Sequence, residues 1–100
     1  MATLFERIVS GEIPCHRIWE DDGHLAFLDI NPRVEGHTLV IPKHPWEEIF
    51  AMPKEAYDGL WTAARTVAHH LEERTGCARG VGVILGYEVP HVHAHLMPTN

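Results

Sequence analysis

The sequence predicts an α+β domain that contains a five-stranded antiparallel sheet. Strand-like and helix-like segments follow one another in the order helix, three strands, helix, two strands. Turn residues of the hairpin type join the first strands, and the alternation of strand and helix that builds parallel sheets is absent. A chain of 100 residues has the length of one domain, so we expect residues 1–100 to fold as a single unit.

Two helices are predicted from capping residues and from the spacing of apolar side chains. A short N-terminal helix covers residues 3–9, where Thr3 is the N-cap and Glu6 completes a capping box. The long helix covers residues 53–75, because apolar side chains recur there at helical spacing and Gly76 suits its C-terminal exit.

Five short runs of apolar and β-branched residues are predicted to be strands. The Asp-Asp-Gly turn at residues 21–23 has the residue types that a tight hairpin needs. The fourth strand is apolar on both faces apart from its glycines, which suits a sheet centre or a subunit contact. The predicted strands cover residues 16–20, 24–30, 36–42, 81–87 and 91–97.

Composition and charge argue against several classes of protein. Eight Lys and Arg side chains against fourteen Asp and Glu give a formal charge of −6, whereas a general nucleic-acid binder needs a basic face. No segment approaches the roughly 18 apolar residues that span a bilayer, and the N-terminus lacks the apolar run of a signal peptide. Cys15 and Cys77 follow no disulfide or metal spacing. We therefore expect a cytoplasmic protein with free thiols and no membrane association.

Three histidines occupy alternate positions of the last predicted strand: His91, His93 and His95. Side chains alternate across a strand, so these three rings are expected to share one face while the residues between them face the core. Rings two positions apart start about 7 Å from each other, and the first and third start about 13 Å apart. Neighbouring rings can therefore converge on one small ligand.

Three interpretations of this histidine row compete. The first is a set of solvated or internally bonded histidines, which strict alternation within an apolar strand disfavours. The second is a transition-metal site, although threefold convergence from one straight strand is awkward. The third is an anion site in which the middle imidazole attacks phosphorus while its neighbours bind phosphate oxygens or protonate a leaving group. Histidine suits this chemistry because both of its protonation states coexist near neutral pH.

Four blocks of the sequence, in the right order, resemble the Hint branch of the histidine triad (HIT) superfamily of nucleotide hydrolases and transferases. The last block matches the motif of three histidines that alternate with hydrophobic residues. The others are similar to the family's opening segment, first hairpin and third strand. In chain order these blocks are residues 5–14, 20–32, 36–43 and 91–97, and together they extend over nearly the whole chain.

The resemblance implies a fold and an activity. The fold is the HIT-like α+β domain with a short N-terminal helix and one long helix, which pairs as a homodimer to form one continuous ten-stranded sheet. The activity is cleavage at the α-phosphate of a purine nucleotide, with AMP, GMP or related compounds as ligands and no cofactor. Phosphoramidates or adenylates are the expected substrates. The alternatives are dinucleoside polyphosphate hydrolysis and a nucleotide-binding interaction protein with little catalysis.

The resemblance also implies roles for four histidines. His93 is the nucleophile that forms a nucleotidyl-histidine, and His95 contacts the phosphate or the leaving group. His91 and His37 support and orient these two. Judged from its own surroundings in the sequence alone, His37 is better interpreted as an internally bonded strand histidine.

The nucleotide-binding residues are likewise implied by the match. Asp29 falls where the family holds the ribose hydroxyls, although its own position also suits capping of the turn that follows. Glu88 and Val89 lie in the segment before the triad, where relatives carry residues that touch the nucleotide. The base is expected between four apolar side chains whose alternative role is core packing: Phe5, Ile8, Phe27 and Ile30.

The chain departs from its relatives at three places. Many relatives hold structural zinc with an opening Cys-x-x-Cys, but here Thr3 and Glu6 stand at those positions, so we predict no metal site. Glu88 stands near the place of a hydroxyl residue, and a carboxylate beside a phosphate is repulsive unless it is protonated or turned away. Many relatives also continue past the point that corresponds to Asn100, so a C-terminal tail is either dispensable here or missing.

Overall fold

The computed structural model describes residues 3–76, 79–84 and 91–99. Its strands form one five-stranded sheet in the order β1-β2-β3-β5-β4, and every neighbouring pair is antiparallel. The α+β class with an antiparallel sheet and a long helix is thereby confirmed. The strands are β1 (Arg17–Glu20), β2 (His24–Leu28), β3 (Thr38–Pro42), β4 (Arg79–Ile84) and β5 (Ala94–Thr99).

Both predicted helices are present, with ends close to those that the capping residues indicate. Helix α1 covers Leu4–Val9, and its N-cap Thr3 forms the complete capping box with Glu6. Helix α2 covers Lys54–Thr75 and ends at Gly76, whose φ of 66° is left-handed. A short 3₁₀ turn precedes α2. Within the described ranges, no helix combines the length and apolar character that a bilayer crossing requires.

The two faces of the sheet pack against different helices. On one face, apolar side chains of α2 such as Leu60 and Val67 pack against Ala26, Val40 and Ala94 of the strands. On the other face, α1 contributes Phe5 and Ile8 to a smaller cluster. Because α1 has only six residues, it covers this second face in part and leaves room for a cavity beside it.

Four predicted strands extend past the observed strands at one end. Strand β1 begins at Arg17 and not at residue 16, and the last of the four corrections bears on the site. Strand β2 ends at Leu28 and β3 begins at Thr38, because Gly36, at a φ of 83°, lies in the turn between them. Strand β5 begins at Ala94, so His91 and His93 precede it. Their segment bonds elsewhere, since the N–H of Val92 donates to the carbonyl of Trp46 at 2.6 Å. The predicted end of the fourth strand falls in residues 85–90, outside the described residues.

Candidate active site

A cavity of about 300 Å³ opens between α1, the end of β2 and the histidine row. This volume lies at the lower end of the range for small-molecule sites. The cavity brings together seven of the residues proposed from the sequence, which come from distant parts of the chain. They are Phe5, Ile8, Phe27, Asp29, Ile30, His93 and His95.

One hydrogen bond decides which ring nitrogen of His93 carries the lone pair. Its Nδ1 lies 2.8 Å from the backbone carbonyl oxygen of His91. A carbonyl only accepts, so Nδ1 carries the proton, and in the neutral ring the lone pair then lies on Nε2. The edge-to-face contact with Phe5, whose ring centre is 4.9 Å away, holds this orientation.

His95 is held as a hydrogen-bond donor by a relay through His37. The backbone N–H of Arg33 donates to Nδ1 of His37 at 3.1 Å, which places the proton of the neutral His37 ring on Nε2. That N–H donates in turn to Nδ1 of His95 at 2.9 Å. Burial, together with the neighbouring His93 and His37, lowers the pKa of His95. The neutral His95 ring therefore carries its proton on Nε2.

The Nε2–H of His95 has no hydrogen-bond partner within the described part of the chain, although the atom is buried. A buried donor without a partner costs roughly 1–3 kcal/mol, so such groups are rare unless a ligand or water satisfies them. His95 lines the cavity, and its ring centre lies 5.0 Å from that of His93. An acceptor atom that enters beside His93 is thus the natural partner for this donor.

His91 is fully buried and does not line the cavity. Its Nε2 lies 2.7 Å from the carbonyl oxygen of Pro42, and its Nδ1 lies 2.9 Å from the hydroxyl of Thr3. Burial lowers its pKa and outweighs the opposing effects of the Pro42 carbonyl and of Glu6. The contribution of His91 to the site is its backbone carbonyl, which accepts the hydrogen bond of His93.

The two oxygens of Asp29 face different partners. Oδ1 accepts from the backbone N–H of Asn31 at 2.9 Å and so closes the turn after β2, which is the alternative role foreseen for this residue. Oδ2 lies 3.5 Å from Nε2 of His37 and 3.9 Å from Nδ1 of His95. One carboxylate oxygen therefore remains beside the histidine pair and the cavity.

Three of the four apolar side chains expected around a base also belong to the core. Phe5, Ile8 and Phe27 are buried members of one cluster, so core packing and cavity lining coincide for them. Ile30 is 90% exposed, and core packing is wrong for this residue because β2 ends two residues earlier. Ile30 stands at the cavity mouth with its side chain in solvent. Glu88 and Val89 lie outside the described residues.

Two groups of residues invite the question of a metal. One ring nitrogen each of His37 and His95 lies within 4.8 Å of an Asp29 oxygen. A neutral His37 carries its proton on the nitrogen that faces His95, because its other nitrogen accepts the N–H of Arg33, so this nitrogen has no lone pair for a metal. At the family's zinc position, Thr3 and Glu6 bond to each other as a capping box, and this hydroxyl and carboxylate do not fit a thiolate zinc site.

The comparisons with known proteins agree with this architecture. A family model described as the HIT domain matches residues 10–100. An uncharacterized HIT-like protein of Methanocaldococcus jannaschii is 37% identical over 99 residues, which are 95% of this chain and 77% of that protein. A Zn-bound histidine triad family protein from Mycobacterium smegmatis has a TM-score of 0.93 and 33% identity, over 100% of this chain and 76% of that one. The chain therefore belongs to the HIT family.

One relative carries the name of an enzyme. The adenosine 5'-monophosphoramidase of Saccharomyces cerevisiae is 36% identical over 98 residues. The alignment covers 97% of this chain and 62% of the yeast protein, so more than a third of that enzyme has no counterpart in this sequence.

Sequence reasoning missed three groups that set the protons of the site. They are the hydroxyl of Thr3, the backbone N–H of Arg33 and the backbone carbonyl of Pro42. Thr3 was identified as a helix cap, but nothing in the sequence relates residue 3 to residue 91. The other two are main-chain groups, which every sequence position shares and no residue type marks.

Proposed function

We propose that this chain binds a purine nucleotide and cleaves phosphoramidates or adenylates at the α-phosphate through a covalent nucleotidyl-His93. The observation that carries the proposal is the pairing of two ring nitrogens at one cavity. Nε2 of His93 carries the lone pair of the neutral ring, and the neighbouring Nε2–H of His95 has no partner among the described residues. A nucleophile beside a desolvated donor is the arrangement that phosphoryl transfer uses.

In the first step the lone pair of His93 Nε2 attacks phosphorus. The bond between phosphorus and the leaving nitrogen or oxygen breaks, and the leaving group takes up a proton from solvent water. The ring of His93 then carries a positive charge, with its proton still on Nδ1. The hydrogen bond from that proton to the His91 carbonyl becomes charge-assisted and stronger as the charge develops, so it stabilises the transition state more than the ground state.

His95 acts on the phosphate in this scheme. Its Nε2–H donates to a non-bridging oxygen and thereby satisfies the buried donor while it offsets negative charge. In the second step water attacks phosphorus, the bond to His93 breaks, and a nucleoside monophosphate leaves as the attacking water loses a proton to solvent. His37 holds His95 with its donor outward throughout, and no metal or other cofactor takes part.

The cavity wall supports a purine rather than a small anion as the ligand. Phe5, Ile8 and Phe27 form an apolar wall beside the histidines, and Ile30 can cover the base from the mouth. Asp29 Oδ2 is the proposed acceptor for ribose hydroxyls, since Oδ1 is already engaged. Glu88 and Val89 are proposed contacts by resemblance alone. The name of the yeast relative supports an adenosine phosphoramidate as the first substrate to test.

The direct test compares turnover of an adenosine 5'-phosphoramidate by the wild type, His93→Ala and His69→Ala. His69 is the matched control because its side chain is 62% exposed on α2. We expect a loss of at least about 100-fold with His93→Ala and no change with His69→Ala. Equal turnover by all three proteins would exclude His93 as nucleophile.

The same assay separates the alternatives. Faster cleavage of a dinucleoside polyphosphate than of the phosphoramidate would favour the polyphosphate hydrolase. Nucleotide binding without turnover of either would favour the interaction protein. Wild-type turnover should also persist after dialysis against a chelator, since the proposed steps use no metal. Loss of activity on chelation with recovery on added zinc would contradict this.

We further propose that the chain acts as a cytoplasmic homodimer, as its resemblance to the Hint branch implies. Sedimentation equilibrium should give a mass of twice 11.3 kDa. A mass that stays at that of one chain at micromolar concentration would contradict the dimer without affecting the proposed chemistry.

A further inference from the structure

The hydroxyl of Thr3 takes part in two hydrogen bonds that join the N-terminal helix to the histidine row. It lies 3.0 Å from the backbone nitrogen of Glu6, whose N–H donates to it. It also lies 2.9 Å from Nδ1 of His91, which is 88 positions away in the sequence. The backbone N–H of Thr3 donates in turn to the carboxylate of Glu6 at 2.9 Å.

The direction of each bond follows from the groups involved. The Pro42 carbonyl only accepts, so Nε2 of His91 is the donor in their 2.7 Å contact. A neutral imidazole has one proton, and Nδ1 must then accept. The hydroxyl of Thr3 accepts from Glu6 with one lone pair and donates its own proton to His91. Of the two neutral tautomers, only this one satisfies both ring nitrogens of His91.

We infer that Thr3 is a positioning residue whose hydroxyl holds His91 as the neutral tautomer with its proton on Nε2. His91 is thereby fixed between Thr3 and Pro42, and its backbone carbonyl is held where it receives the Nδ1–H of His93. The assignment of the tautomer depends only on the hydrogen-bond geometry, whereas its importance for catalysis rests on the proposed function. The capping box also anchors α1, which supplies Phe5 and Ile8 to the cavity.

The charged and titratable groups around His91 act on its protonation in opposite directions. Glu6 of α1 is the carboxylate that attracts a proton to it, while His93 in the same segment and His44 after β3 act in the opposite direction. The ring of Phe5 packs edge-on at 5.6 Å between centres and excludes water. Burial of the ring is the largest influence, and it lowers the pKa of His91.

The test uses substitutions of Thr3 that separate helix capping from proton donation. Thr3→Ser keeps both functions, and Thr3→Val removes both. Thr3→Asp keeps the cap, since Asp is among the best N-cap residues, but its carboxylate can only accept. Glu6→Gln is the control for lost charge, because an amide oxygen still accepts from the N–H of Thr3 while the hydroxyl remains.

Nitrogen NMR of isotopically labelled rings reports the tautomer and pKa of His91 in the ligand-free protein. In the wild type, Thr3→Ser and Glu6→Gln, we expect a protonated Nε2 and a bare Nδ1. In Thr3→Asp the new carboxylate draws a second proton onto Nδ1, which should raise the pKa of His91 by about 1 to 3. An unchanged pKa and tautomer in Thr3→Asp would overturn the inference, even if Thr3→Val does not fold.

The pH profile of turnover supplies a second readout. A positive His91 beside His93 opposes the charge that develops on the attacking ring, so Thr3→Asp should lower kcat and recover it as the pH rises through the new pKa of His91. A kcat of Thr3→Asp that is reduced equally at every pH would contradict the link between tautomer and catalysis. The proposed function fails separately, through undiminished turnover by His93→Ala, and that result leaves the NMR outcome unaffected.

Discussion

Backbone groups set which nitrogen carries the proton on three of the four rings of the site, and the fourth, His95, is set by the side chain of His37. The carbonyl of His91 orients His93, the carbonyl of Pro42 orients His91, and the N–H of Arg33 orients His37. Backbone groups are held by the surrounding fold and do not titrate. The rings are therefore preorganised before any ligand enters, which is the condition under which electrostatic stabilisation is most effective.

The contrast between Ile30 and Phe27 yields a prediction for single residues. Ile30→Ala removes a side chain that is 90% exposed, so it should leave the free energy of unfolding within about 0.5 kcal/mol of the wild type. It should raise the Kd for AMP about threefold to tenfold, since burying a few methylene groups contributes about 1 kcal/mol. Calorimetric titration and urea unfolding measure the two quantities.

Phe27→Ala is the matched comparison, because Phe27 lines the same cavity but is buried. It should lower the free energy of unfolding by about 3–5 kcal/mol. If Ile30→Ala destabilises the protein as much, or leaves the Kd for AMP unchanged, Ile30 is not a binding residue of the kind proposed.

At the residue scale, the sequence predicts which side chains meet but not the bonds that orient them. Strict alternation predicted the three histidines on one face. The ring contact between His93 and His95, and those of His91 and His93 with Phe5, agree with this. The positions of the ring protons depend on main-chain groups of residues 33 and 42, which the fold brings next to the rings. Those contacts arise from tertiary structure, which local sequence patterns do not predict.

At the scale of elements, the loop between β2 and β3 positions His37 and depends on one glycine. Gly36 has a φ of 83°, and a Cβ built on it would lie 3.2 Å from Pro98 of β5. Positive φ and a tight contact therefore coincide directly before His37. The hydrogen bond between the N–H of Asp29 and the carbonyl of His37, at 2.9 Å, closes this loop.

Gly36→Ala should consequently destabilise the protein more than Gly76→Ala. Both glycines have positive φ, and each substitution costs about 1 kcal/mol or more from backbone strain. At Gly76 no described atom lies within 4 Å of the added Cβ. The difference between the two free energies of unfolding thus isolates the contact with Pro98. Equal losses would mean that Pro98 moves aside at no cost.

The helices were predicted more accurately than the ends of the strands, for a physical reason. A helix is closed by local signals, such as the capping box at Thr3 and the left-handed Gly76. A strand ends where its partner ends, and partners lie far away in the chain. Residues 91–93 alternate like a strand, but they bond to the carbonyl of Pro42 at the end of β3 and to that of Trp46 beyond it instead of entering the ladder.

At the scale of the whole molecule, the buried histidines couple stability to pH. The folded-state pKa values of His91 and His95 lie below the usual value near 6.5 because of burial. Below that value the unfolded chain binds more protons than the folded one, so stability falls as the pH drops from 6.5 towards the folded pKa values. Above pH 6.5 both states hold these rings neutral and the effect vanishes.

Urea unfolding between about pH 5 and pH 8 should show this loss, with a slope that approaches about 1.4 kcal/mol per pH unit for each histidine. His91→Asn keeps a donor and an acceptor without a titratable ring, so its slope should be shallower. A stability that stays constant or rises as the pH falls from 6.5 would show that these histidines are not held neutral.

The packing of the helices on the sheet could be predicted from the sequence, because the pattern of apolar and polar residues determines it. The apolar faces of both helices predicted packing, and α1 and α2 cover opposite faces of the sheet. The cavity did not follow from the pattern, because it results from the shortness of α1 and from the early end of β2. Such mismatches in length between neighbouring elements become apparent only in the folded structure.

The most direct measurement is rapid-quench mass spectrometry of the protein after mixing with an adenosine 5'-phosphoramidate. We predict a transient adenylyl group on the peptide that contains His93, formed before the first release of AMP and absent from His93→Ala. Rapid turnover by the wild type without any adduct, or an adduct on another residue that persists in His93→Ala, would contradict the account.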